Sequence, residues 1–154
     1  MTILENSIRI DAPVDRVWAV LACLDALERY DPGVTKSEVV TPMREGAGSA
    51  RRCDLKPGGW FKERVADWKP NESLSFELFE CTLPVRRLKH RYTLTPDGSG
   101  TLVHQTMEYE LKFGLVGKLM DTIMVRKKWD AGIKGFFAGL KHYVETGRRP
   151  PGKE

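Results

Sequence analysis

The sequence predicts an α+β fold in which a curved, seven-stranded antiparallel sheet wraps around one long C-terminal helix. Three observations predict it. Residues 115–147 place Leu115, Leu119, Trp129, Ile133, Phe136, Phe137, Leu140, Tyr143 and Val144 within about 120° of a helical wheel. Residues 34–113 instead alternate apolar and polar side chains in short runs broken by Gly, Pro, Asn and Asp, as strands joined by tight connections do. One further alternating run opens the chain, ahead of two short helical stretches. A helix with so wide an apolar stripe needs a sheet to lie on, and a sheet that curves over it leaves room for a cavity.

The elements follow in order. In residues 2–11, Leu4, Ile8 and Ile10 alternate with Glu5, Ser7 and Arg9, which marks a half-buried strand. Asp11-Ala12-Pro13 is a helix start, with Asp at the cap and Pro in the first turn; Val14, Val17, Trp18 and Leu21 follow at helical spacing. A second short helix is expected over 24–30, ended by Asp31-Pro32-Gly33. Strands are expected at 34–42, 48–56, 59–68, 73–81, 86–95 and 101–113, with turn chemistry at 45–48, 57–59, 70–71 and 96–100. The long helix follows Gly114. Residues 1–147 thus form a single ligand-binding domain, and the tail 148–154 is expected to lack fixed structure.

At 41% hydrophobic and 30% charged, the 154 residues have the composition of one soluble globular domain. The net charge of +4 comes from Lys and Arg spread along the chain, so it reads as a solvated basic surface and no nucleic-acid partner is expected. Cys23, Cys53 and Cys81 are odd in number and form no CxxC pair. They are expected to be reduced thiols in a cytoplasmic protein. The opening residues do not read as a signal peptide, and no apolar run approaches the length of a membrane span. No metal or other cofactor is expected, since HExxH, GxSxG and GxxxxGK[ST] are absent and no His cluster has ligand spacing. Any catalysis would be acid–base chemistry on a bound molecule.

Strand alternation assigns side chains to the face that meets the helix. Arg51, Glu63, His90, Tyr92, Gln105, Met107 and Tyr109 fall on that face among apolar neighbours such as Phe61, Val65, Leu88 and Val103. A mostly apolar wall with a few polar groups is what a small-molecule site requires. Each has a plainer role beside the functional one: Glu63 can pair with Arg51, Gln105 can satisfy backbone groups, and the tyrosines can be core aromatics. His90 is the leading catalytic candidate, because imidazole donates, accepts and shuttles protons near neutrality; His104 and His142 fall on solvent faces. Within the long helix, Arg126 sits in the apolar stripe, where an unpaired charge is costly. Either the helix bends there and Arg126 reaches solvent, or Arg126, with Met120 and Met124, faces the cavity entrance. Trp60, Lys62, Arg64 and Trp68 share an outward parity, which marks either a dimer or membrane-touching patch or rings stacked on neighbouring Arg and Lys stems.

The stretches IRIDAPVDRVWAVLACLDALERYDP, GAGSARRCDL with GWFKERVADWKPNESLSFEL, and YTLTPDGSGTLVHQTMEYEL resemble the SRPBCC superfamily over about residues 2–147. That superfamily has the helix-grip fold and includes START lipid-transfer domains, the birch-pollen-allergen family and polyketide cyclase/dehydrases. The resemblance implies a fold and a cavity, and leaves the activity open. One reading is a carrier for a lipid, quinone or polyketide-like molecule, monomeric or dimeric, with transient membrane contact. Another is a cyclase/aromatase-like enzyme in which Arg51, His90, Tyr92, Gln105 and Arg126 orient a polyketone and assist enolisation and dehydration. A third is a protein-interaction module, whose groove would be narrow or filled.

Overall fold

A computed structural model describes residues 1–153. The strands are β1 (Thr2–Ile10), β2 (Val34–Val39), β3 (Ala50–Leu55), β4 (Trp60–Lys69), β5 (Ser73–Cys81), β6 (Val85–Asp97) and β7 (Gly100–Leu111). They form one antiparallel sheet in the order β1-β7-β6-β5-β4-β3-β2. Only β1 leaves sequence order, because the two short helical elements carry the chain from one edge of the sheet to the other. These are α1 (Val14–Leu21) and a 3-10 turn at Leu27–Arg29, which replaces the full second helix expected there. Pro13 occupies the cap position of α1 in an extended conformation, with its fixed φ already suited to a helix start.

The C-terminal helix is three segments: α2 (Gly114–Met120), a π-helical stretch at Asp121–Val125, and α3 (Arg126–Thr146). The expected stripe holds along α3, where Ile133, Phe136, Phe137, Leu140 and Val144 are buried against the sheet. It fails along α2. Leu115 and Leu119, expected to face inward, are exposed, and the inward positions are taken by Gly117 and Asp121. In the π stretch the Arg126 N–H reaches back five residues to the Asp121 carbonyl, so the preceding turns are rotated relative to a continuous α-helix. Asp121 fixes that rotation: its carboxylate accepts hydrogen bonds from Thr2 Oγ1 at 2.5 Å and from the Tyr109 hydroxyl.

Tyr30, buried below the 3-10 turn, packs between Phe136 and Tyr143 of α3 at 5.6 and 5.8 Å between ring centres. This packing needs Gly139, where a Cβ would lie 1.9 Å from the Tyr30 carbonyl oxygen. A second local departure lies in β4. Its pairing with β5 shifts between Val65 and Asp67, which reverses the alternation. Trp68 therefore turns inward and meets Trp18 of α1 edge-on at 5.2 Å, instead of sharing an outer face with Trp60. Trp60 lies under the Arg52 guanidinium, 4.5 Å from its ring centre. Beyond the helix, Lys153 Nζ donates to the Val34 carbonyl, and Pro150 lies 3.7 Å from where a Gly139 Cβ would sit. The described part of the tail expected to be unstructured thus lies against the body. Among the described residues no helix is long and apolar enough to cross a membrane.

Candidate functional site

Between sheet and helix lies a cavity of about 360 Å³. Its apolar wall comes from Leu55, Phe61, Leu88, Met107, Trp129, Ile133 and Phe136, and its rim from Lys56, Pro57, Gly58, Leu83 and Lys128. The polar groups on this wall are Arg51, Glu63, His90, Tyr92 and Gln105, together with Asp31. Strand register explains why they meet. Arg51 pairs directly with Glu63 across β3 and β4, His90 with Met107 and Tyr92 with Gln105 across β6 and β7. Directly opposed side chains lie about 5 Å apart, so register brings each pair together, while Glu63 and His90 meet across the intervening β5.

The core of the cluster is a buried chain of charge. One oxygen of Glu63, Oε1, accepts from Arg51 Nε at 2.7 Å and contacts Nη2 at 2.6 Å. The other, Oε2, lies 2.7 Å from His90 Nε2. Arg51 Nη1 donates to the Leu24 carbonyl at 3.3 Å. Burial alone would raise the Glu63 carboxyl, but the Arg51 guanidinium, and after it His90, bring it down to about 2. Glu63 is therefore a carboxylate, and a carboxylate can only accept. His90 must then carry a proton on Nε2, which it donates to Glu63. Its Nδ1 is buried and has no hydrogen-bond partner.

The imidazole is also held in orientation. It stacks on Phe76 at 5.0 Å with 16° between planes and meets Tyr92 edge-on at 5.4 Å. The Arg51 guanidinium lies over the same Phe76 ring at 4.5 Å. Gln105 Nε2 donates to the Tyr92 hydroxyl at 2.9 Å, and Gln105 Oε1 is buried without a partner. Burial, and next the Glu63 charge, push the Tyr92 phenol well above its ordinary value, so Tyr92 is a neutral hydroxyl. Two polar atoms of these lining residues, His90 Nδ1 and Gln105 Oε1, are thus buried without a partner. An unsatisfied buried polar atom costs about 1–3 kcal/mol, a cost that a partner in the cavity would remove.

Of the ten residues the sequence nominates, the structure brings six together on this wall: Arg51, Glu63, His90, Tyr92, Gln105 and Met107. The other four lie outside it. The Tyr109 ring packs against Trp129, tilted by 48° with 4.5 Å between ring centres, and its hydroxyl is on Asp121. Arg126 is half exposed and pairs with Asp121 at 3.4 Å, as in the reading that sends it to solvent. Met120 and Met124 point outward, because the π stretch rotates them away. Two acidic residues escape sequence reasoning. Asp31 lines the cavity and accepts the Gly33 N–H at 2.9 Å; its Asp-Pro-Gly setting is fully accounted for as a turn. Burial raises its carboxyl, against that hydrogen bond. Asp121 is hidden by the expectation of an unbroken α-helix. Among the described residues no three His, Cys, Asp or Glu side chains converge as a metal site would need.

A START-like helix-grip domain with a polar cluster inside its cavity is the class these features define. The chain belongs to the family described as polyketide cyclase / dehydrase and lipid transport, whose model matches residues 1–145. Among solved structures it is similar to TTHA0849 from Thermus thermophilus, at 25% identity and TM-score 0.82, covering 95% of this chain and 99% of that one. It is also similar to a START superfamily protein from Mycobacterium smegmatis, at 15% identity and TM-score 0.78 over 93% and 97% of the two chains. The Zhui aromatase/cyclase from Streptomyces sp. R1128 matches at 18% identity and TM-score 0.74 over 95% and 97%. The last two likenesses concern the fold. No curated protein matches in sequence.

Proposed function

We propose that this protein binds a small, largely apolar molecule carrying a hydroxyl or enol. The observation that carries this is a largely apolar cavity whose few polar lining residues include His90 and Gln105, each with a buried atom that has no partner. A ligand hydroxyl, which both donates and accepts, pairs with either residue, and the rest of the molecule lies against Phe61, Leu88, Met107 and Phe136. A cavity of about 360 Å³ argues against the interaction module, whose groove would be filled. The unpaired thiols Cys23, Cys53 and Cys81 support a reducing, cytoplasmic setting. The family's lipid-transport and cyclase descriptions both accommodate such a ligand. Native mass spectrometry of freshly purified protein, with organic extraction, is expected to release a lipid-, quinone- or polyketide-like mass. Protein that is empty and indifferent to fatty acids, quinones and flavonoids would count against the reading.

A second reading, acid–base turnover of an enolisable ketone, is favoured by one specific arrangement. Arg51 holds Glu63 as an anion, Glu63 orients His90 through Nε2, and His90, with Nδ1 unpartnered, is one of the cavity-lining residues. In that reading Nδ1 takes a proton from the carbon beside a ligand carbonyl, the bond's electron pair moves onto the carbonyl oxygen as an enolate, and the Tyr92 hydroxyl, itself held by Gln105, donates a hydrogen bond to that oxygen. Turnover of a candidate polyketone by the wild type, but not by His90→Ala protein of equal stability and ligand affinity, separates enzyme from carrier. Equal turnover by both proteins would remove His90 from the mechanism.

A further inference from the structure

Residues 112–128 are unlike the rest of the molecule in two respects, and both concern its outside. The first is an inverted helix. Leu115, Val116, Leu119, Met120, Ile123 and Met124 are all exposed, Leu115 at 82%, while the side turned to the sheet carries Gly117 and Asp121. The inward side is fixed: a Cβ on Gly117 would lie 2.3 Å from the Lys112 carbonyl oxygen, and Asp121 is held by Thr2 and Tyr109. The apolar stripe therefore cannot roll inward, and with exposed Phe113 beside it it forms one outward ridge. Contiguous apolar surface of this kind marks a contact site.

The second is charge. Lys112, Lys118, Arg126, Lys127 and Lys128 are exposed around the ridge, and the segment's single acid, Asp121, is buried. With five of the chain's 25 cations and one of its 21 anions here, the remainder holds twenty of each. The net charge of +4 therefore belongs to this segment. A second copy seated symmetrically on the ridge would bring five cations against five with no exposed acid between them, which is repulsive. A negatively charged apolar boundary has the complementary chemistry: acyl chains for the ridge and anionic headgroups for the lysines. The ridge also adjoins the cavity rim. Lys128 is part of that rim, and the Lys112 N–H donates to the Pro84 carbonyl at 3.0 Å, next to rim residue Leu83.

We propose that the outward face of residues 113–124 docks on an anionic lipid bilayer, with the cavity rim beside the contact. The proposal does not rest on the cavity being occupied. Its test is co-sedimentation of the full chain with phosphatidylcholine vesicles, with and without a phosphatidylglycerol component, no ligand being added. Binding is expected only with phosphatidylglycerol and is expected to weaken with salt. Lys118→Gln and Lys127→Gln should each reduce partition about fivefold, and Leu115→Asp with Leu119→Asp about a hundredfold. All four positions are exposed, so circular dichroism should remain that of the wild type. Equal partition to both vesicle types, or wild-type partition by the double aspartate variant, overturns the proposal. So does a concentration-dependent dimer in sedimentation velocity that the same double variant converts to monomer, since a second copy would then cover the ridge.

Discussion

Replacing Glu63 by Gln keeps the shape of the side chain and removes its charge. The structure specifies what is lost: two contacts from Arg51 at 2.7 and 2.6 Å and one from His90 at 2.7 Å, all in a buried setting. The Glu63 carboxyl moves from 4.5 to about 2 on folding, and at about 1.4 kcal/mol per unit this difference is worth roughly 3 kcal/mol. Removing one partner of a buried ion pair typically costs about 3–5 kcal/mol, because the other charge is stranded. Glu63→Gln is therefore expected to lose about 3–5 kcal/mol at neutral pH, a large share of a stability of about 5–15 kcal/mol. Urea unfolding followed by tryptophan fluorescence measures it. The pH dependence is fixed in sign. A carboxyl lowered on folding stabilises fully above its ordinary value of 4.5, and that stability drains away as pH falls toward about 2. In that window the wild type should lose stability faster than the variant, and the gap between them should narrow. Replacing Arg51 and Glu63 together by Met should recover much of the loss. A neutral-pH loss below about 1 kcal/mol, the value of an exposed pair, or a gap that stays constant in acid would refute the reasoning.

Gly139→Ala should lower stability by about 1–3 kcal/mol in thermal unfolding, since its methyl would meet the Tyr30 carbonyl. Gly132→Ala, with nothing within 4 Å of the added Cβ, should raise stability by about 0.5–1 kcal/mol through helix propensity; loss at both positions would contradict the packing. Asp121→Asn removes the charged acceptor of Thr2, Tyr109 and Arg126. It should destabilise by roughly 1–3 kcal/mol and speed amide exchange in 114–125 more than in α3; uniform change would deny Asp121 its local role. Burial pushes the Cys53 thiol up to about 12, so native Cys53 should resist a thiol reagent that labels half-buried Cys81. Labelling at equal rates would show the cavity wall to be open at that strand.

What is legible in the sequence is whatever depends on a period of two. Arg51, Glu63, His90, Tyr92, Gln105 and Met107 can be assigned to one face because a strand converts odd and even positions into inside and outside. The same rule misplaces Trp68, since the shift between Val65 and Asp67 inserts a residue and exchanges the faces beyond it. The helix fails for an analogous reason. Leu115, Leu119, Met120 and Met124 are misplaced by carrying one angle per residue through 121–125, where the backbone uses another. Side-chain sequence gives little notice of either irregularity. Pairing across β5 is also invisible: that His90 reaches Glu63 depends on strand order, which alternation does not encode. Asp31 and Asp121 escape because each has an adequate local explanation, a turn for one and a helix surface for the other.

The π stretch can be regarded as a change of winding whose effect is angular. An α-helix advances about 100° per residue, and the wide turn over Asp121–Val125 absorbs about one residue's share of that angle. Wound instead as continuous α-helix, the same residues would turn all of α2 by about 100° relative to α3. The leucines and methionines would swing toward the sheet, and Asp121 would leave Tyr109 and Thr2. The winding of this one turn therefore works as a phase setting: it decides whether an apolar stripe becomes core or coat. Deleting one residue here and closing the turn as α-helix would keep both flanks facing as they do.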